Sequence, residues 1–150
     1  MTTRREQILE TAAALFAQHG FHGVSIGEEL LREGRQRVRD AGDDKAALES
    51  LIAWHVDFAL AHKPLIVVQD RDWSALPLEA REKVRETQRK YVEVWVKVLR
   101  ALRPDLGLAP ARATVHAAFG LINSTPHSAL VSDEAMKEIL SGMALRSLRG

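Results

Sequence analysis

Residues 2–28, TTRREQILETAAALFAQHGFHGVSIGE, decide the fold. Five side chains recur at helical spacing in this stretch and predict an amphipathic helix. They are Ile8, Ala12, Leu15, Phe16 and His19. Gly20 follows the last of them, where a helix commonly ends on a residue in the left-handed conformation. Ser25 and Glu28 then form a capping box, in which each side chain satisfies an unpaired amide of a first helical turn. The stretch therefore predicts a helix, a tight turn at Gly20 and a second helix that starts at Ser25.

The string REQILETAAALFAQHGFHGVSI, residues 5–26, strongly resembles the opening of tetracycline-repressor (TetR) family regulators. In that family a first helix ending in Phe-x-x-x-Gly-Phe is followed by a Ser/Thr-Ile pair that starts a helix-turn-helix. The resemblance implies a DNA-binding head on a helical body that binds a ligand and dimerises. We accordingly assign residues 1–28 to part of the N-terminal helix-turn-helix domain and residues 29–150 to the C-terminal domain.

The sequence departs from the family pattern directly after the capping box. The family continues through a second helix, a Gly-containing turn, a recognition helix and an aromatic-Pro-Ser-Lys start to the next helix, and none of these follows Glu28. Either this variant has lost its recognition helix, or the sequence as it stands lacks a mobile segment of about twenty residues. We expect the second, because an unbroken helix over residues 25–41 would contain Gly27 and Gly34, each costing about 1 kcal/mol relative to Ala.

Composition indicates a soluble, cytoplasmic protein without a membrane partner. The 150 residues are 46% hydrophobic, enough for a sizeable core, and the apolar run at residues 64–68 is far too short to cross a bilayer. The amino terminus is charged, unlike a signal peptide. The absence of cysteine excludes disulfides and thiolate metal sites.

The charge balance does not indicate nucleic-acid binding. The net charge is +1, and the residues before Asp43 include six Lys or Arg and six Asp or Glu. A complete DNA-reading head should be more basic. The balance argues against DNA binding by these residues alone.

The remaining apolar patterns predict helices and no strand. The predicted helices cover residues 26–41, 44–62, a short segment after Pro64, 76–103, 110–123 and a last segment. Asp43 or Asp44 is expected to cap the second of these helices, and Ser132 or Asp133 the last. The fold class is therefore all-α, with an apparently incomplete helix-turn-helix head on a helical ligand-binding and dimerisation body.

Large aromatic side chains with few polar neighbours predict a ligand cavity between the central helices. The candidate ligand-binding residues are Trp54, His55, Phe58, Gln69, Trp73, Tyr91, Trp95 and Asn123. Such a lining suits a hydrophobic or amphipathic effector, although the same aromatics could instead fill the core. His55 and His62 lie two helical turns apart, roughly 10 Å, too far to chelate one ion directly. No metal site or cofactor is predicted.

The TetR resemblance also implies where the partners bind. Its last two helices build a four-helix dimer interface, and both helices have an apolar face here. The predicted homodimer interface is Val115, Phe119, Ile122, Met136, Ile139, Leu140 and Met143. Arg4, Arg5 and Ser25 are candidates for contacts with the phosphates of double-stranded operator DNA, Ser25 through the N-terminus of its helix.

The leading functional hypothesis is a DNA-binding transcriptional repressor that a small hydrophobic effector releases from its operator. The alternative is an all-helical dimeric ligand-binding or interaction module that has lost DNA binding. An enzyme is the weakest hypothesis, because the sequence contains no GxSxG, HExxH, P-loop or GxGxxG motif and no cysteine nucleophile.

Overall fold

The computed structural model of the chain describes residues 3–63, 77–124 and 130–150. These residues form five helices and no strand, so the all-α prediction is confirmed. The helices are α1 (Arg4–Asp40), α2 (Asp44–Ala61), α3 (Leu78–Leu102), α4 (Leu108–Asn123) and α5 (Asp133–Arg149). The short helix predicted after Pro64 lies outside the described residues. None of the helices in the described ranges is both long enough and apolar enough to span a membrane.

Two of the helices begin at side-chain caps that the sequence predicts. The Asp43 carboxylate accepts a hydrogen bond from the Ala46 amide at 2.7 Å, which starts α2. The Ser132 hydroxyl accepts one from the Ala135 amide at 3.2 Å, which starts α5. Each cap satisfies an amide that has no partner within its own helix. Local sequence chemistry therefore fixes where both helices begin.

Helix α1 differs from the prediction, because it continues through Gly20 and Ser25 as one helix of 37 residues. The turn predicted at Gly20 and the helix start predicted at Ser25 are wrong. The backbone is also helical over residues 26–32. The missing segment expected after Glu28 stays a prediction. Capping signals contribute only about 1 kcal/mol each, whereas Ile26 and Leu31 of the same helix are buried in the body. Packing of the second half of α1 outweighs the local signals, and the proposed domain boundary at residue 28 falls inside a continuous helix.

Two glycines of α1 lie on the face that packs against α3. A Cβ atom at Gly34 would lie 3.0 Å from Cε1 of Tyr91, and one at Gly27 would lie 3.6 Å from Cγ2 of Thr87. Their seven-residue spacing keeps both glycines on one face of the helix. Of the two glycines that argued against a continuous helix, Gly34 thus has a structural role, which is to let α1 lie close to Tyr91 of α3.

The helices surround one core. Helix α1 packs against α2 and α3, α2 also contacts α3 and α5, and α4 lies between α3 and α5. Large, fully buried side chains from four helices meet in the core. They are Leu48, Leu51, Trp95, Leu99, Val115, Ile122 and Leu148. Two ion pairs of 2.7 Å at the surface, Asp57–Lys137 and Lys63–Asp133, connect the α2 region with α5.

Candidate ligand cavity

A buried histidine connects three helices through two hydrogen bonds. His55 of α2 lies 3.0 Å from the Tyr91 hydroxyl through Nδ1 and 3.1 Å from Oδ1 of Asn123 through Nε2. The amide oxygen of Asn123 can only accept, so Nε2 of His55 carries the proton and donates it. Nδ1 is then the acceptor, and the Tyr91 hydroxyl donates to it. This chain of hydrogen bonds joins α2, α3 and α4 and leaves neither ring nitrogen of His55 unpaired.

Burial keeps the His55 imidazole and the Tyr91 phenol uncharged at neutral pH. Desolvation lowers the pKa of His55 from 6.5 to about 4, and the hydrogen bond to Asn123 opposes this shift. Burial also raises the pKa of the Tyr91 phenol well above its usual value, against smaller opposite effects of Trp95 and Arg37. The network is therefore neutral, and it works by hydrogen bonding rather than by charge.

Aromatic rings pack around this network. The Phe119 ring stacks on the His55 ring at 4.6 Å between centroids and an interplanar angle of 4°. Tyr91 stacks on Phe119 at 5.4 Å, and Trp95 meets Phe119 edge-on at 5.0 Å. Side chains from three helices thus form one rigid aromatic cluster with a polar centre.

A cavity of about 310 Å³ opens beside the cluster, between α1, α2, α3 and α4. It is lined by Gly27, Leu30, His55, Phe58, Val84, Thr87, Gln88, Tyr91, Val92, His116, Phe119, Gly120 and Asn123. None of these residues is Asp, Glu, Lys or Arg. The cavity volume lies at the lower end of the usual range for small-molecule sites, and the mixture of aromatic walls with a few polar groups is typical of them.

The cavity brings together four of the eight residues predicted as ligand-binding. These are His55, Phe58, Tyr91 and Asn123. Trp95 lies behind them, fully buried in the core. Gln69 and Trp73 lie outside the described residues.

Trp54 is also absent from the cavity lining, because it packs against α1. Its indole nitrogen donates to the Leu30 carbonyl at 3.1 Å, and the guanidinium of Arg37 lies 5.4 Å from the centre of its ring. Trp54 therefore fixes α1 to α2 and does not line the cavity.

Sequence reasoning missed several residues of the cavity wall. Thr87 and Gln88 lie one helical turn before Tyr91, and His116 lies two turns before Asn123. Helical spacing from the predicted residues could have identified them.

The residues predicted for the dimer interface divide into two groups. Val115, Ile122 and Leu140 are 0%, 0% and 3% exposed, since they form the core of their own chain. Phe119 faces the cavity cluster. Val115, Ile122 and Leu140 thus belong to the core of their own chain, and Phe119 is partly buried against it, because α4 and α5 bury their main apolar stripes against the other helices. The dimer interface itself stays a prediction.

Two of the remaining interface residues do face outwards. Ile139 and Met143 are 46% and 43% exposed, and Met136 is partly buried against the core. On α4, the exposed positions include Ala113 and Ala117. We call Ala113, Ala117, Ile139 and Met143 the outward face.

The residues predicted to contact DNA lie along α1. Arg4 and Arg5 are exposed in its first turn. Ser25 is exposed but lies within the helix, so the helix N-terminus that was to contact a phosphate is not formed there. Contacts of these three residues with DNA remain predictions.

The described residues thus form an all-helical domain with a cavity between four of its helices. The family model "Tetracyclin repressor-like, C-terminal domain" matches residues 41–127, more than half of the chain, and this region contains α2, α3 and α4. The chain therefore belongs to the TetR family of transcriptional regulators, as the sequence resemblance predicts.

A solved structure has the same fold. The chain is similar to a TetR-family transcriptional regulator from Bordetella parapertussis 12822, with a TM-score of 0.72 and 21% sequence identity. The similarity covers 84% of this chain and 69% of that one. No curated protein sequence matches the chain significantly.

Proposed function

We propose that this protein is a ligand-responsive regulator in which a small, largely hydrophobic effector occupies the cavity. The observation that carries the proposal is the cavity itself, about 310 Å³ of space beside a buried polar network and an aromatic cluster. A concave space of this size with aromatic walls and a few polar groups is the usual form of a small-molecule site. A cavity that is lined from four helices is best explained by a molecule that occupies it.

Helix α1 forms one wall of the cavity, which offers a route from effector to output. Gly27 and Leu30 line the cavity, and Gly34 lies against Tyr91, whose hydroxyl is bonded to His55. An effector that changes the position of Tyr91 changes the surface on which α1 rests. The effector shifts the population of α1 positions only to the extent that it binds one of them more tightly.

In the repressor form of the proposal, a homodimer binds a palindromic operator and the effector releases it. Arg4, Arg5 and Ser25 would then contact phosphates of the duplex. The membership of the chain in the TetR family supports this form.

The continuous α1 favours a second candidate, a family member that regulates without reading DNA itself. A helix-turn-helix reader places a second helix in the major groove. Residues 4–40 form one helix that has no turn from which such a reader could project. In this second form, the protein still binds an effector and dimerises, but it does not bind operator DNA.

A gel-shift experiment separates the two forms. The purified chain is mixed at low salt with a pool of random-sequence duplexes of operator length, and any shifted DNA is recovered and amplified. The repressor form predicts a selected palindrome, with binding that weakens in Arg4→Ala and Arg5→Ala. The second form predicts no shifted DNA even at micromolar protein.

Effector binding is tested independently of DNA. A panel of hydrophobic small molecules is screened by thermal shift against the wild type and Gly120→Leu, which adds a side chain to the cavity wall. Gly42→Leu is the matched control, since a Cβ at either glycine meets no atom within 4 Å. The proposal expects stabilising compounds that lose their effect in Gly120→Leu only. If no compound stabilises the wild type, or if the blocked variant responds equally, the proposal fails.

We also propose that the outward face forms the homodimer interface. Ala113 and Ala117 allow close approach of a helix, and Ile139 and Met143 supply apolar contact area. A two-fold interface would pair this face with its copy. Such a face on the last two described helices agrees with the dimer arrangement that the family resemblance implies.

A further inference from the structure

The hydrogen-bond network of Tyr91, His55 and Asn123 leaves one of its polar groups available to the cavity. Both nitrogens of His55 are already engaged, one by the Tyr91 hydroxyl and the other by Oδ1 of Asn123. The amide nitrogen of Asn123 remains, and no side chain or carbonyl in the described residues accepts a hydrogen bond from it. An amide nitrogen carries two N–H donors and cannot accept. The group of this network that is left over is therefore a donor, and it belongs to a residue that lines the cavity.

The cavity also lacks a partner for a charged group. Its lining contains no acidic side chain, no Lys and no Arg. Burial holds the pKa of His55 at about 4, so this ring provides no positive charge at neutral pH. A carboxylate or ammonium placed here would lose its hydration without gaining a counter-charge, which is strongly unfavourable.

Arginines do occur close by, but they lie outside the cavity. Arg85, Arg89 and Arg112 border an adjoining groove between α3 and α4. Arg112 is already paired with Glu93 at 2.6 Å. The groove therefore has charges of both signs, whereas the cavity lining includes no Asp, Glu, Lys or Arg.

From these observations we infer that the effector is an uncharged, mainly apolar molecule with a carbonyl-type acceptor, which accepts a hydrogen bond from the Asn123 amide. Ketones, esters and uncharged amides belong to this class. The inference rests on the proposed function, since it assigns the chemistry of the same cavity. A site with a dedicated donor discriminates against an analogue that lacks the acceptor, because the analogue displaces water from the donor without replacing its hydrogen bond.

Four probes test the inference by isothermal titration calorimetry at pH 7.5. Three of them share one ring system: 2-acetylnaphthalene has a carbonyl, 2-ethylnaphthalene lacks the acceptor and 2-naphthoate is charged. Decanoate is the fourth probe, long enough to place a carboxylate on the arginines of the groove. We expect 2-acetylnaphthalene to bind about tenfold more tightly than 2-ethylnaphthalene, the effect of one neutral hydrogen bond, and both anions to bind more weakly still.

Two variants test whether the Asn123 amide is the hydrogen-bond donor. Asn123→Asp keeps an oxygen that can accept from Nε2 of His55 but removes the N–H donors. Gln88→Glu makes the same amide-to-acid change elsewhere in the cavity wall. The preference for 2-acetylnaphthalene over 2-ethylnaphthalene should disappear in Asn123→Asp and persist in Gln88→Glu, with circular dichroism verifying that both variants are folded.

The possible failures differ from one another. Tighter binding of either anion, or loss of the carbonyl preference in Gln88→Glu rather than Asn123→Asp, overturns this inference and leaves the cavity a ligand site of another kind. If the Asn123→Asp protein is unfolded, Asn123→Ser is tested instead. The serine hydroxyl can accept a hydrogen bond from His55, but the side chain is too short to donate to the carbonyl of 2-acetylnaphthalene. If none of the four probes binds at millimolar concentration, the inference falls together with the proposed function.

Discussion

The last two described helices have two apolar faces with different structural roles. The inward face, with Val115, Ile122 and Leu140, is almost completely buried in the core of its own chain. The outward face combines two alanines of α4 with Ile139 and Met143 of α5, which remain nearly half exposed. Helical periodicity identifies which residues need to be buried. It does not show whether the chain itself or a second copy buries them.

Adjacent residues of α5 provide the sharpest test of this difference. Leu140→Ala should lower the free energy of unfolding by about 2–5 kcal/mol, because it leaves a cavity in the core. Ile139→Ala, on the residue before it, should cost less than about 1 kcal/mol because its side chain is already 46% exposed. Urea unfolding of both variants, followed by circular dichroism at low protein concentration, measures the two values. Equal losses would show that the two faces do not differ as described.

The polar centre of the cavity cluster gives the next largest effect. The pKa of His55 is lowered to about 4 in the folded protein, from 6.5 in the unfolded chain. The unfolded state therefore binds more protons between these values, so stability is fully present above pH 6.5 and is lost as the pH falls towards 4. The difference corresponds to about 3 kcal/mol. The measurement is the free energy of unfolding between pH 4 and pH 8.

A variant separates His55 from the acidic groups that also titrate in this range. His55→Phe should remove this part of the pH dependence while leaving that of the carboxylates. If the two proteins lose stability in parallel below pH 6.5, His55 is not held neutral by burial.

The sequence predicted the body of the fold well because its signals there agree with the packing. Asp43 and Ser132 cap helices as predicted, and proline and glycine positions delimit the other helices to within a few residues. His55, Tyr91 and Asn123 were predicted as site residues from side-chain type alone, and the structure brings them together. Their hydrogen-bond order depends on tertiary geometry, so no sequence pattern could have supplied it.

The sequence failed where a local signal and tertiary packing disagree. Gly20 and the Ser25 capping box suggest a turn, yet burial of Ile26 and Leu31 favours continuation of the helix. Gly34 is unfavourable in an isolated helix and useful at a helix contact. Whether glycine at position 34 is unfavourable or useful depends on how closely α3 packs against α1.

The two glycines of the α1–α3 contact should therefore respond differently to the same change. Alanine is favoured over glycine in a helix by about 1 kcal/mol. At Gly27 the added methyl group meets Thr87 at an ordinary distance of 3.6 Å, so Gly27→Ala should stabilise by up to that amount. At Gly34 the added methyl group meets the buried Tyr91 ring at 3.0 Å. Overpacking should outweigh the gain in helix propensity, so Gly34→Ala should lower the free energy of unfolding by about 1 kcal/mol.

Thermal unfolding of the two glycine variants at one pH gives the comparison directly. Stabilisation by Gly34→Ala as large as that by Gly27→Ala would mean that Tyr91 yields easily. In that case α1 would not rest on the cavity cluster closely enough to sense an effector through Tyr91.

Substitutions in the outward face should change the free energy of unfolding least and the oligomeric state most. Simultaneous replacement by serine, Ile139→Ser with Met143→Ser, removes apolar surface that the isolated chain leaves exposed. Unfolding at low concentration should therefore change by less than about 1 kcal/mol. The proposed dimer would lose its two largest apolar contacts, and hydrophobic anchors at the centre of an interface dominate its affinity. Sedimentation velocity should show a folded monomer where the wild type sediments as a dimer.

The choice of positions decides whether this last experiment reports on assembly or on folding. Phe119→Glu or Leu140→Glu cannot serve, because Leu140 is buried in the core and Phe119 packs in the cavity cluster, so either change would unfold or distort the monomer. Substitutions at Ile139 and Met143 avoid this problem, since these residues are already 46% and 43% exposed to solvent. A folded double variant, I139S/M143S, that still sediments as an unchanged dimer would place the interface on another surface.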